Sequence, residues 1–349
     1  MPPITKEYLQ CSVFMYNSEK AALDGESFGG SGFLVSMPVE GHEGWSWLYA
    51  ITNRHVLDAG YRFIRLNNKT GGVDVVETSR DDWRDHPDRF DVSAYSLNFE
   101  GKAVDQSAIP ISEFITRDII EDWDICPGDE AFLVGRLITP WGQQRNIPAV
   151  RFGNISMMAN PDELAIGYGE VAMEVFYVEC RSLSGFSGSP VFCSTTRTYS
   201  WDGKLPKEFQ DLPRKSAKLG WPRLSPSGTF GPWFLGIDWG HLPLWKPVFG
   251  QKAFDYPKDG HWVEQNTGIA CVLPAWHIHD LLMNEEDFVK ERQKDREALD
   301  RRKRDTAVMD VEMENPLTQA GFDDVLQRVS RKATDSASEP ESKKTETSE

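Results

Sequence analysis

The sequence predicts an all-β protein built in two halves, with a C-terminal helix and a charged tail. Three observations carry this. Short apolar runs of strand length recur from residue 9 to about 100 and again from about 125 to 280. Turns rich in Gly, Asn and Asp break them at regular spacing, and no segment among them keeps a helical period beyond a turn. Regular short strands with such turns fit barrels or sandwiches.

In the first half the runs are CSVFMY, GSGFLVSM, SWLYAIT, YRFIRL, VDVVET and FDVSAYSL, interrupted only by a single helical turn at Arg54-His55-Val56-Leu57. Residues 101–124, poor in apolar side chains at KAVDQSA, read as the connection. The second half runs through DEAFLVGRLI, AVRFGNIS, MEVFYVEC, SPVFCS, WFLGIDW and TGIACVL. AWHIHDLLM, residues 275–283, then places Trp276, Ile278 and Leu282 on one side of a helix. The expected organisation is therefore an N-terminal β-half over 1–110, a C-terminal β-half over 111–283 with an insertion at 194–232, and a tail over 284–349. Residues 284–305 are almost entirely charged, a pattern of solvated helix or disordered tail. Within 316–332, Phe322, Val325, Leu326 and Val329 fall on one helical face, which fits docking on the protein's own body or on a protein partner. Residues 334–349 have the composition of a disordered segment.

Composition narrows the function. The chain has 349 residues with 38 Lys+Arg against 54 Asp+Glu, a formal charge of −16. That argues against nucleic acid as a partner and against a polybasic membrane anchor. No run approaches the roughly 18 apolar residues of a spanning helix, and no secretory signal opens the sequence. The five cysteines are scattered and odd in number, without a CxxC pair, which suits reduced thiols in the cytoplasm. His277-x-His279 does not place both rings on one helical face, so neither a metal nor another cofactor is expected.

The chemistry-bearing segment is Ser182-Leu183-Ser184-Gly185-Phe186-Ser187-Gly188-Ser189-Pro190. A serine between glycines in a tight loop presents its hydroxyl clear of neighbouring side chains. The N–H groups of Gly185 and Ser187 can then point into one hole and hold an oxyanion. Such a serine needs a base, and His55, just after the strand Tyr49-Ala50-Ile51-Thr52, is the candidate. The base needs an orienting acid. Asp91 lies at an apolar-flanked strand, where a charge is costly without a partner, whereas Asp81, Asp82, Asp85 and Asp88 lie in a polar loop and need none.

The order His55, Asp91, Ser187, with base and acid in the first half and nucleophile in the second, resembles the chymotrypsin/trypsin-like serine protease family, in particular its bacterial single-chain branch. Gly30-Ser31-Gly32-Phe33-Leu34-Val35, Ile51-Thr52-Asn53-Arg54-His55-Val56, Asp91-Val92-Ser93-Ala94, Gly185-Phe186-Ser187-Gly188-Ser189-Pro190, Phe234-Leu235-Gly236-Ile237-Asp238-Trp239-Gly240 and Asn266-Thr267-Gly268-Ile269-Ala270-Cys271 are similar to that family's landmarks, over about residues 10–283. The resemblance implies two six-stranded antiparallel β-barrels and serine endopeptidase activity on a protein or peptide substrate. It also implies a substrate-binding edge at Asp238, Trp239 and Gly240 and a pocket floor near Arg181. Arg181 either pairs with an acidic substrate residue or points to solvent or to Glu179; Asp238 either bonds near the triad or simply ends a strand.

Two positions depart from the family. Phe186 stands where secreted relatives carry an acid that pairs with a freshly cleaved N-terminus, so no activation of that kind is expected, and Ser189 replaces a glycine. The insertion carries seven Lys/Arg (Arg197, Lys204, Lys207, Arg214, Lys215, Lys218, Arg223) against three acids (Asp202, Glu208, Asp211), as a solvated loop or a recognition loop would. The competing reading from another class is a catalytically silent protease-like fold that binds peptides or partners. An α/β-hydrolase would need GxSxG and alternating helices and strands, and neither is present.

Overall fold

A computed structural model describes residues 4–26, 28–99, 103–136, 144–180, 186–196, 229–247 and 262–314. The strands of the first half are β1 (Ser12–Tyr16), β2 (Phe28–Pro38), β3 (Ser46–Thr52), β4 (Phe63–Asn67), β5 (Val73–Glu77), β6 (Arg84–Asp85), β7 (Ser93–Ser96) and β8 (Ile109–Pro110). They make one eight-stranded sheet in the order β5-β4-β1-β2-β3-β7-β6, with β8 parallel to β2 and every other pair antiparallel. Two of the eight strands, β6 and β8, are two-residue pieces, Arg-Asp and Ile-Pro, without a strand signature of their own. They pair because β7 and β2 offer them an open edge.

In the second half β9 (Glu130–Gly135), β10 (Ala149–Met157), β11 (Ala165–Ile166), β12 (Ala172–Met173), β13 (Phe176–Glu179), β14 (Pro190–Thr196), β15 (Thr229–Pro247) and β16 (Trp262–Pro274) follow. Six of these close into a barrel, β10-β13-β16-β15-β14-β9, while β11 and β12 form a separate hairpin. The fold is thus the mostly-β, two-part architecture with a C-terminal helix that the strand pattern predicts.

Among the described residues the α-helices are α1 (Lys6–Gln10), α2 (Glu19–Asp24), α3 (Arg54–Asp58), α4 (Arg117–Asp122), α5 (Ala275–Asn284) and α6 (Glu286–Glu314). Helix α2 is bounded by simple local chemistry: Ser18 accepts from the Ala21 N–H at its start, and Gly25, at φ 72°, ends it. Helix α3 is the predicted turn around His55, and α5 is the predicted terminal helix, with Ile278, Leu281 and Leu282 buried.

One apolar core runs between the halves. Phe33 of β2 meets Phe234 of β15 at 5.1 Å, Phe114 packs on the same ring at 4.8 Å, and the Ile115 N–H donates to the Phe234 carbonyl. Burying side chains of this size contributes roughly 2–3 kcal/mol each, so the seam is a core rather than a hinge. All five cysteines are free thiols, and burial raises those of Cys180 and Cys271 to about 12.

The compact body ends at Arg292, inside the charged segment, nine residues beyond the expected boundary at 283. Phe288 and Arg292 are buried, and Phe288 packs on Tyr49 of β3 at 5.1 Å. The apolar face at Phe322, Val325, Leu326 and Val329, like most of the insertion 194–232, lies outside the described residues.

Candidate active site

Strand β3 ends at Thr52, and the chain turns through Asn53 into α3, which lifts His55 from the sheet. Asp91 sits two residues before β7, and β7 pairs with β3, so the two approach across one strand spacing. The Asp91 carboxylate bonds His55 twice: Oδ2 is 2.6 Å from Nδ1, and Oδ1 accepts the His55 backbone N–H at 2.9 Å. The Asp91 side chain is 0% exposed and that of His55 28% exposed, so the acid is sealed beneath a ring that still reaches solvent. A carboxylate on Nδ1 fixes the tautomer that leaves Nε2 as the acceptor.

Asp91 is anchored further through its backbone. The Asn53 side-chain amide donates to its carbonyl at 2.7 Å, and its own N–H faces the Met173 sulfur at 3.5 Å. Asn53 occupies the N-cap position of α3 yet makes no capping bond. A local helix rule is broken here in favour of holding the acid.

Ser187 lies in a tight turn that precedes β14 and is bonded to both halves. Its carbonyl accepts from the Ser31 N–H at 2.8 Å, and the Ser31 carbonyl accepts from the Thr52 hydroxyl at 2.8 Å, three residues before His55. On the other side the Gly188 N–H donates to the Asp238 carbonyl at 2.8 Å and the Asp238 N–H to Ser189 at 2.9 Å. Glycine is required at 188: φ is 86°, and a Cβ would lie 1.9 Å from the Ser31 oxygen. The Ser187 N–H has no acceptor among the described residues. Among the described residues no hydrogen bond joins the Ser187 hydroxyl to the His55 ring.

Gly185, the other expected oxyanion donor, and Arg181, the expected pocket floor, lie outside the described residues. Asp238 is fully buried within β15 and accepts the Gly240 N–H on Oδ1, so it does not end a strand. Trp239 occupies a register break against β16, and a Cβ at Gly240 would meet nothing within 4 Å. Trp239 is partly buried and packs against the core, and the Gly240 position is open among the described residues. Phe186 is fully buried, with the Arg151 guanidinium 4.8 Å from its ring centre.

Two features escape the sequence patterns. Asp85, expected to need no partner, takes a 2.6 Å bond from Arg80 and a 2.5 Å bond from Ser93, and Arg80 also holds Asp58 of α3. The β11–β12 hairpin, with Tyr168 in its tip, comes from the second half and reaches the histidine: the Tyr168 and His55 rings lie 5.7 Å apart. A pair of two-residue strands leaves almost no periodicity to detect.

No family model and no curated protein matches the chain. Among solved structures it is similar to the Rv3671c protease of M. tuberculosis. The inactive form is 15% identical, with a TM-score of 0.35 over 79% of this chain and 88% of that one. The active form is 14% identical, with a TM-score of 0.33 over 78% of this chain and 80% of that one. It is also similar to HBP, 8% identical, with a TM-score of 0.41 over 82% of this chain and 95% of that one.

Proposed function

We propose that the chain is a serine endopeptidase of the chymotrypsin-like type, with Ser187 as nucleophile, His55 as general base and acid, and Asp91 as the group that orients His55. The observation that carries this reading is the two-point bond from a buried Asp91 carboxylate to the His55 ring and backbone, 2.6 and 2.9 Å. A structural histidine on a strand end has no need of a sealed carboxylate on Nδ1. A general base does, because the imidazolium that forms in the transition state is then stabilised without rotation of the ring.

In this reading the Ser187 hydroxyl attacks a peptide carbonyl while Nε2 of His55 takes its proton. The oxyanion settles on the N–H groups of Ser187 and Gly185, each worth about 3 kcal/mol of barrier. His55 then gives the proton to the leaving amine, and a water repeats the sequence to release the acyl group. The substrate backbone lies along Trp239 and Gly240, where a Cβ at 240 would meet nothing within 4 Å among the described residues. Phe186, packed under the Arg151 guanidinium, supports the nucleophile turn without a buried ammonium–carboxylate pair at that position.

Labelling with a small alkyl fluorophosphonate tests the proposal. A single adduct on Ser187, lost in Ser187→Ala and slowed at least a hundredfold in His55→Ala, is the expected result. The catalytically silent alternative has one observation in its favour, the missing bond from the Ser187 hydroxyl to His55. Absence of any Ser187 adduct at millimolar probe, with the protein folded, would favour it.

A further inference from the structure

We propose that Tyr168 is a specificity-determining residue of this site, forming with the His55 ring an apolar notch for one substrate side chain within about two residues of the scissile bond. The inference rests on the proposed roles of His55 and Ser187 and deepens them.

The hairpin that carries Tyr168 touches the histidine–aspartate pair at two points. Met173, in β12, puts its sulfur against the Asp91 N–H, and Tyr168, in the tip, stands beside His55. The rings are 5.7 Å apart and inclined at 49°, so they meet at an angle rather than in a parallel stack. Tyr168 is 41% exposed, and the His55 side chain is also partly exposed. A tyrosine that served only to support the histidine would be covered, or would lie flat on it.

Partial desolvation first, and then the nearby carboxylate of Asp58, raise the pKa of the Tyr168 hydroxyl. Asp58 is itself fixed by Arg80 at 2.9 Å and by Arg54 at 3.5 Å. In the tip Gly169 at φ 70° turns freely, whereas Glu170 at φ 59° holds a left-handed conformation uncommon for a residue with a Cβ.

The occupant follows from the position. In the proposed mechanism His55 touches both the attacking oxygen and the leaving nitrogen. A ring 5.7 Å from it lies within two residues of that bond, since an extended chain advances about 3.3 Å per residue. Two ring surfaces meeting in a wedge favour an apolar side chain, which loses water on both sides.

The test is the cleavage profile of a proteome-derived peptide library, read by mass spectrometry, for wild type, Tyr168→Phe and Tyr168→Ala. The concentration of competent enzyme is first set by titration with a small alkyl fluorophosphonate. The expected result is an apolar enrichment at one position within two residues of the cut. Tyr168→Phe keeps that enrichment and Tyr168→Ala lowers it at least fivefold, with the other positions unchanged. An identical profile in Tyr168→Ala overturns the inference, as does a loss of turnover that is uniform across all peptides, which is what a purely structural role gives. If wild type titrates at Ser187 and the profile is indifferent to residue 168, this inference alone falls. If wild type does not titrate, the proposed function falls and takes this inference with it.

Discussion

Asn53 spends its side-chain amide on the Asp91 carbonyl, at 2.7 Å, and leaves the helix that carries His55 without a side-chain cap. The residue thereby links the two halves of the proposed base–acid pair through the main chain. Asn53→Ala removes a buried hydrogen bond, worth about 1–2 kcal/mol of stability, and frees Asp91 to shift. Urea unfolding is expected to show a loss of that size. The rate of fluorophosphonate labelling at Ser187 is expected to fall further than stability explains, about tenfold to a hundredfold. Asn53→Asp keeps the shape but puts an acceptor against an acceptor, and is expected to be worse than alanine.

Gly188 and Gly240 both flank the proposed cleft, and the structure gives them opposite tolerances. A methyl at 188 meets the Ser31 oxygen at 1.9 Å in a left-handed backbone, whereas one at 240 meets nothing within 4 Å among the described residues. Gly188→Ala is expected to cost about 3 kcal/mol or to prevent folding, since strain and overlap add. Gly240→Ala should stay within about 0.5 kcal/mol of wild type. Thermal unfolding of the two variants side by side is the check, and equal losses would contradict the proposed geometry of the turn.

What could be read from the amino acids follows from how local each cause is. Ser187 between two glycines, His55 one turn past a strand and Asp91 at an apolar strand each carry a signal within a few residues, and the fold brings His55 and Asp91 together. Asn53 was hidden because its partner is 38 residues away and an asparagine before a helix already has a sufficient local reason. Tyr168 was hidden because its hairpin has strands too short for a period. Phe288 and Arg292 were hidden by the charge around them: burial of an arginine in a segment of this composition depends on acceptors that other elements supply. The strand count of the first half exceeded six because Arg84-Asp85 and Ile109-Pro110 pair by position, not by propensity.

His86 makes stability sensitive to acid. Burial, and then the neighbouring His277, lower its pKa to about 4, with Asp88 and Asp280 opposing. Its ring stacks on Phe90 at 4.6 Å and meets His277 edge-on at 5.9 Å. Below His277, Glu174 is held by Arg117 and the Trp276 N–H. Burial pushes that carboxylate up, but the bonds from His277 and Arg117 outweigh it and keep Glu174 below its usual range. An unfolded histidine titrates near 6.5, so between about 6.5 and 4 the unfolded chain holds the proton and the folded one does not. Stability is therefore complete above that window and falls as pH drops through it. The size is on the order of 1–2 kcal/mol once solvent screening is allowed for. Urea unfolding at pH 7 and pH 5 is the measurement, and His86→Phe should flatten the difference between the two.

Arg292 fixes where the body of the protein ends. Its guanidinium donates to the Leu282 carbonyl at 2.6 Å, to the Met283 carbonyl at 3.2 Å and to the Tyr49 hydroxyl at 3.0 Å. It thus satisfies the last carbonyls of α5, which would otherwise lack donors, and ties them to the strand that leads into His55. Asp287 adds a 2.8 Å contact to Arg84, and Glu291 accepts from Ser96 of β7 at 2.9 Å. The first turns of α6 therefore rest on both strands that place His55 and Asp91. Arg292→Ala leaves buried acceptors unmet and is expected to cost about 2–3 kcal/mol. A chain ended after residue 292 keeps Phe288 and Arg292 and serves as the reference. A chain ended after residue 285 loses Phe288 and Arg292 together, and should unfold at markedly lower urea and label more slowly at Ser187. Equal stability of the two truncated chains would show that the charged helix contributes nothing to the site.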